Sequence, residues 1–301
     1  MSLALLVPGG SGQLGREFVA RAPADYEVRA PGSAELDITN AGAVIEAVKT
    51  LAAAAAEAAL APVVINAAAY TGVDAAESDR SKAFAVNADG PRLLAAACSA
   101  HQVPLVHVST DYVFAGDADR PYRTDDPLEP RSVYGATKAA GEEAVLGSGA
   151  QAWVVRTAWV YGAYGANFVK TMARLAGERD TVSVVDDQRG SPTWTGDLAP
   201  GLLELAGRVV SDGPAARILN ATGGGVTTWF GLAGAVYDEL GLDPERVKPC
   251  GSDEFPRPAP RPAYSVLSDE EWRSAGLTPL RPWREALTAA FAEHGDALRG
   301  G

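Results

Sequence analysis

The sequence predicts a doubly wound parallel α/β sheet, and three observations carry that prediction. Short apolar runs alternate with segments of helical periodicity through residues 1–156. A glycine array, Gly9, Gly12 and Gly15, falls directly after the first run and opens the first helical segment. The residues that follow four of the runs, 9–15, 66–70, 109–111 and 157–161, stand at the strand ends where such a sheet binds its ligands.

Taken in order, LALLV (3–7) is a short apolar run of the kind that forms a buried parallel strand. QLGREFVARA (13–22) places apolar residues at helical spacing, and YEVRA (26–30) is a second strand. The alanine-rich segment 41–60 is a helix by propensity. PVVIN (62–66) is the third strand, 81–100 a helix, and PLVHVS (104–109) the fourth strand. A helix over 132–146 precedes the fifth strand, AWVVR (152–156). Beyond residue 160 the alternation loosens. Helices are expected over 166–177 and 195–210, and short strands over 181–185 and 217–221. FPRPAPRPAYS (255–265) is too proline-rich for regular structure and reads as an ordered loop over a cleft or surface, while 293–301 is expected to fray. The expected organisation is a dinucleotide-binding domain over 1–156 and a smaller substrate lobe over 157–301, with segments near 181–186 and 217–221 returning to the sheet.

Composition narrows the function. The net charge of −12 leaves no basic surplus to meet nucleic-acid phosphates. The N-terminal apolar run is too short to span a membrane, and no other apolar stretch reaches that length uninterrupted. Two cysteines, Cys98 and Cys250, form no disulfide framework or metal motif, which points to a reduced, cytoplasmic protein. His101, His107 and His294 are scattered, and no metal site is evident.

The glycine array lets a backbone turn approach a pyrophosphate at a helix N-terminus, so a dinucleotide is expected there. After the second strand, Arg29 and Ser33 precede any acid, and a cation with a hydroxyl suits a 2′-phosphate. NADPH is therefore expected, with NADH possible. YGATK (134–138) sets Tyr134 and Lys138 four apart on one helix face. That spacing alone is equally a structural contact.

Together these stretches resemble the extended short-chain dehydrogenase/reductase superfamily and, within it, the dTDP-4-dehydrorhamnose reductase family. The matching segments are GGSGQLG (9–15), LDIT (36–39), VVINAAAYTGVDAAE (63–77), VNADGP (86–91), VHVSTDYVFAG (106–116), YGATKAAGEEA (134–144), VVRTAWVYG (154–162), NFVKTM (167–172) and VVDDQRGSPTW (184–194). Pro8 departs from the threonine commonly found before the loop, and the acidic metal-contacting positions of some dimeric relatives have no counterpart that can be placed.

The resemblance implies a Rossmann-type fold and a set of roles. Tyr134 would be the proton donor, Lys138 would lower its pKa and touch the nicotinamide ribose, and Thr110 would hydrogen-bond the reacting oxygen, with Ser109 on the strand's other face. Gln13, Leu14, Asp37, Ile38, Ala67, Ala68 and Ala69 would join the glycines around the cofactor. Thr71, Val73, Asp111 and Trp159 would line the sugar pocket, and Asn167, Asp187, Gln188, Arg189 and Arg261 the nucleotide-sugar cleft. Asp186 and Asp187 read as a turn rather than a metal pair. Trp194, Trp229 and Trp283 read as packing.

The implied reaction is NADPH-dependent reduction at C4 of dTDP-4-dehydro-6-deoxy-L-mannose to dTDP-L-rhamnose by a monomer or homodimer, with metal dependence open. The alternatives are another nucleotide-sugar 4-ketoreductase or epimerase, and a non-catalytic dinucleotide-binding regulatory subunit.

Overall fold

The computed structural model describes residues Ser2–Arg299. In chain order its elements are β1 (Leu3–Leu6), α1 (Gln13–Arg21), β2 (Glu27–Arg29), α2 (Ala41–Ala58), β3 (Ala61–Asn66), α3 (Val73–Ser78), α4 (Arg80–Phe84), a π-turn (Ala85–Asp89) and α5 (Gly90–His101). There follow β4 (Leu105–Thr110), α6 (Val133–Leu146), β5 (Ala152–Thr157), β6 (Val160–Tyr161), α7 (Phe168–Glu178), β7 (Val182–Val185), β8 (Arg189–Gly190) and β9 (Thr193–Trp194). The chain closes with α8 (Thr195–Val209), β10 (Ile218–Asn220), β11 (Thr227–Thr228), α9 (Trp229–Glu239), β12 (Val247–Cys250), α10 (Glu270–Ser274) and α11 (Trp283–Arg299).

Six strands form one parallel sheet in the order β10-β5-β4-β3-β1-β2. Successive side chains of a strand face opposite sides, and β1 shows the result. Leu3 and Leu5 pack with Phe18 of α1 and Leu198, Leu202 and Leu205 of α8, whereas Ala4 and Leu6 pack with Val44 and Val48 of α2 and Leu94 of α5. Both faces are covered, which is why these strands read as unbroken apolar runs. The chain leaves β1 toward β2 on one side and β3 on the other, so a crevice opens between the ends of β1 and β3. A third core, built from α7, α9, α11 and β7, holds Val169, Met172, Tyr237, Leu287 and Phe291.

Several expectations change. β10 joins the main sheet beside β5, but β7 does not: it pairs in parallel with β12 in a separate two-stranded sheet. The sequence of β7 alone gives its strand character but not its partner, which lies over sixty residues away. The helix expected over 81–100 is broken by the π-turn, whose Asn87 is fully buried. The C-terminal helix runs to Arg299 past a kink at His294, because Leu298 is buried in the third core; residues 300 and 301 lie outside the described residues. No helix among the described residues is long and apolar enough to cross a membrane.

Between β5 and α6 lies an ion pair with both side chains 1% exposed: Arg156 Nε and Nη2 donate to Glu142 at 3.0 and 2.7 Å, and Nη1 donates to the Thr124 carbonyl at 3.0 Å. Removing one partner strands a buried charge, so Arg156→Ala should cost about 3–5 kcal/mol, measured as a fall in urea midpoint. A loss below about 1 kcal/mol would mean that water or another cation serves Glu142 equally well.

Candidate active site

The glycine loop follows β1 because its backbone has no room for side chains. Gly9 has φ +88°, and a Cβ there would overlap the backbone of Ala67 and Ala68 at the end of β3. The loop is tied to that strand by Ala67 N–H donating to the Pro8 carbonyl at 3.1 Å. Gly12 caps α1 without a side-chain hydrogen bond, so the first N–H groups of the helix stay open toward the crevice. That arrangement fits a pyrophosphate.

These residues line a cavity of about 710 Å³. It brings together Gly9, Gly12, Gln13, Leu14, Gly15, Ser33, Asp37, Ile38, Ala67, Ala68, Ala69, Thr71, Val73, Thr110, Asp111, Tyr134, Lys138 and Trp159. Asp37 accepts hydrogen bonds from the Thr39 amide and hydroxyl, which hold its pKa down. Arg29, exposed at the end of β2, lies outside the cavity lining. Along β2 the alternation puts Arg29 with Glu27 on the exposed face, while Ser33 lines the cavity.

Ser132 starts α6 by accepting from the Gly135 amide at 3.1 Å, and Tyr134 and Lys138 then project from one face. Lys138 is 2% exposed and donates from Nζ to the Val108 carbonyl at 2.6 Å. Burial lowers its pKa to about 8, with Glu142 one turn on acting in the opposite sense. Tyr134 moves the other way: burial raises its pKa to about 12, hydrogen bonding to Thr110 opposes this, and Asp111 adds to it. Lys138, expected to lower this pKa, is not among the groups acting on the phenol, and burial sets the direction. The phenol is protonated at neutral pH, as an ordinary tyrosine is, and its burial makes it a weaker acid than usual.

Thr110 ends β4 and donates to Asp111 Oδ1 at 2.8 Å. Asp111 is 3% exposed, and burial raises its pKa to about 6. Beneath α6, Asn87 of the π-turn accepts from the Tyr70 amide at 2.8 Å and donates to the Thr137 hydroxyl and the Tyr70 carbonyl, both at 3.0 Å. It fixes the loop after β3 against α6. Its segment was visible in the sequence, but its inward direction was not, because that depends on the π-turn.

A second cavity of about 590 Å³ adjoins the first at Tyr112, which lines both. Phe168, Met172, Leu175 and Trp229 form its apolar walls, and Gln188, Arg257 and Arg261 its polar ones. Trp229 does more than pack: it stacks on Trp159 with ring centroids 3.5 Å apart and planes 5° from parallel. Trp159 reaches it with φ +48°, its indole lying over Gly190 where a Cβ would overlap. Arg261 donates to Asp74 at 2.8 Å, and Arg257 reaches the same oxygen at 4.0 Å. Two cations share one carboxylate there, which suits a polyanion.

Three expected contacts fall elsewhere. Asn167 caps α7 through Oδ1, and its Nδ2 donates to the Gly162 carbonyl and to Gln13 at 2.8 and 3.0 Å, so its amide is spent on structure. Arg189 is exposed on β8 and lines neither cavity. Asp187 accepts from the Ser252 amide and hydroxyl at 2.8 and 2.6 Å. Asp186 accepts from Thr228, and no metal-holding cluster occurs among the described residues.

The Lys138 ammonium is held at a cost. Because its folded pKa of about 8 lies below the usual 10.5, the unfolded chain binds more protons between those values and stability rises with pH across that window. Lys138→Met should raise stability at pH 7 by about 1–3 kcal/mol and flatten that rise, as read by urea denaturation at pH 7, 8.5 and 10. A destabilised variant would show that the Val108 contact outweighs desolvation.

A family model described as the RmlD substrate binding domain matches residues 3–295. A dTDP-4-dehydrorhamnose reductase of Streptomyces griseus is 50% identical over 291 residues, covering 95% of this chain and 92% of the relative. A probable dTDP-4,6-dihydroxy-2-methyloxan-3-one 4-ketoreductase of Streptomyces antibioticus is 48% identical, covering 98% of each chain. The crystal structure of a dTDP-4-dehydrorhamnose reductase from Bacillus anthracis in complex with NADP superposes with a TM-score of 0.90 at 34% identity, covering 97% of this chain and 100% of that one.

Proposed function

The chain belongs to the RmlD substrate binding domain family, and on that premise we propose that it is a dTDP-4-dehydrorhamnose reductase. It reduces the C4 carbonyl of dTDP-4-dehydro-6-deoxy-L-mannose to give dTDP-L-rhamnose, a step of deoxysugar and cell-envelope polysaccharide biosynthesis. The observation that carries this reading is the cavity joining the glycine loop to Thr110, Tyr134 and Lys138, which shares Tyr112 with an arginine-bearing aromatic cavity.

Bound NADPH supplies the hydride. The chain's own contribution begins with the open amides of α1, which hold an anion, and with Ser33 at the 2′-phosphate end. Tyr134, which lines the cavity beside Thr110 and Lys138, gives its phenolic proton to the oxygen of the reduced carbon. Thr110 orients that oxygen, and Lys138 fixes the floor of the site from the Val108 carbonyl. In the second cavity, Arg257 and Arg261 meet the diphosphate while Tyr112, Phe168 and Trp229 offer apolar faces to the base and sugar. Binding energy from this remote end positions the carbonyl. The free thiols Cys98 and Cys250 fit a reducing cytoplasm, and the enzyme works as a monomer or homodimer. The Streptomyces antibioticus relative supports a second reading, a 4-ketoreductase for another nucleotide-linked deoxysugar. An NADPH-oxidation assay over a panel of 4-keto nucleotide sugars separates the two, and no turnover of any member would remove both.

Tyr134→Phe should lower kcat by about 100-fold or more while leaving NADPH affinity within a few-fold, measured by steady-state turnover and fluorescence titration. Near-parental turnover would leave Tyr134 a structural residue. Arg261→Ala should weaken dTDP binding by about 10-fold or more with NADPH binding unchanged, measured calorimetrically. Equal dTDP affinity would place the diphosphate elsewhere.

A further inference from the structure

Trp159 and Trp229 meet almost ring centre to ring centre, 3.5 Å apart and 5° from parallel. The quadrupoles of two aromatic rings favour an offset or edge-on pair over such a face-to-face one, so groups outside the rings must hold them there. On the Trp159 side the backbone does so: φ is +48°, and the indole lies where a Cβ on Gly190 would stand. On the Trp229 side the holding is done by a chain of side-chain hydrogen bonds.

Trp229 Nε1 donates to Gln188 Oε1 at 3.2 Å, Gln188 Nε2 donates to Ser252 Oγ at 2.8 Å, and Ser252 Oγ donates to Asp187 Oδ1 at 2.6 Å. An indole N–H can only donate and a carboxylate only accept, so the amide between them has one orientation. The chain ends on a charge, which strengthens its last link. The strands supply the geometry. β12 pairs with β7 in register at Cys250 and Val185, which brings Ser252 beside Asp187 and Gln188 just past the two strand ends. Asp186 holds the other side: it accepts at 2.6 Å from the Thr228 hydroxyl, which itself accepts the Gly231 amide and so starts the helix carrying Trp229. Both acids are thus committed to seating one indole.

We propose that Gln188 is a positioning residue: through Trp229 it seats Trp159, and so fixes the wall against which the sugar is turned toward Thr110 and Tyr134. This rests on the reductase reading above. Trp159 lines the cavity that holds Thr110, Tyr134 and Lys138, while Trp229 and Gln188 line the second cavity. Gln188 is 9% exposed, and both ends of its amide are engaged, so its part is to hold the ring that meets the ligand. The carbonyl has to meet a hydride and a phenol at once, and a displacement of about 1 Å in what positions it lowers turnover steeply. An indole released from Gln188 slides toward the offset pairing that its quadrupole favours, and the Trp159 face loses its backing.

The test begins without substrate, by NMR of the full-length protein labelled with nitrogen-15, the Trp229 indole N–H signal being assigned by its loss in Trp229→Phe. In Gln188→Met that proton should exchange with solvent about 10-fold faster, because its acceptor is gone. The ring-current shift that Trp229 imposes on Trp159 should shrink with it. Ser252→Ala removes only the outer support of the amide, so it should move both signals the same way by less, and it serves if Gln188→Met does not fold. In turnover of the nucleotide sugar, kcat of Gln188→Met should fall about 10-fold with NADPH affinity unchanged. Affinity for dTDP should stay within about 3-fold, since Arg257 and Arg261 are held from Asp74 and not from Gln188. In a Trp229→Phe background, where no indole N–H remains to be held, adding Gln188→Met should lower kcat by less than about 2-fold. Parental exchange of the Trp229 proton in both variants, or the full loss of kcat repeated in the Trp229→Phe background, overturns the inference. The exchange measurement needs no substrate, so its result is distinct from failure of the reductase reading, which shows as absent turnover by the parent.

Discussion

The geometry of the site depends on the fork between Arg156 and Glu142. Glu142 stands one turn beyond Lys138 and two beyond Tyr134, so the pair that fastens α6 to β5 also sets the height and rotation of both side chains. Arg156 can hold the helix this firmly because its remaining nitrogen is satisfied by a backbone carbonyl and its guanidinium lies over the Phe114 ring. An ammonium and a carboxylate on neighbouring turns of a buried face would otherwise pair with each other. With Glu142 engaged by the guanidinium, Lys138 is left to the Val108 carbonyl and to the cavity.

The division of labour between the two cavities follows from the same economy of contacts. The first is lined at its sheet end by backbone and small side chains, so its recognition is of shape and of charge at helix amides. The second is lined by aromatic faces and two guanidiniums, groups that suit a ring and a polyanion. Tyr112 lines both, and Trp159 of the first stacks on Trp229 of the second. A substrate that spans both would be held at its two ends, which leaves little freedom in where its carbonyl arrives.

What the sequence revealed was local. The glycine array, the Tyr134–Lys138 spacing and the apolar runs are each contained within one or two turns of chain, and local sterics fix their meaning. Arg29 and Arg189 read as cations near expected contacts, yet both are exposed outside the two cavities, which only the fold decides. Asn167 read as a ligand-facing amide because its role as a cap and as a partner of Gln13 joins residues over 150 positions apart. Asn87 stands in the VNADGP segment that the sequence marks, but its inward direction comes from the π-turn and from Tyr70 and Thr137 opposite it, which is a property of the tertiary fold.

The placement of β10 and α8 bears on how the chain is made. The strand that closes the sheet beside β5 is Ile218–Asn220, and one face of the sheet is covered by α8. Both emerge from the ribosome after the whole of the cofactor-binding half. Until then β5 presents an open strand edge, and Leu3, Leu5 and Val155 face water where Leu198, Leu202 and Leu205 will later lie. The nascent first half is therefore a sticky, unfinished layer rather than a completed domain. Translation speed through residues 157–220, and chaperone cover during that interval, become part of what determines the yield of active protein.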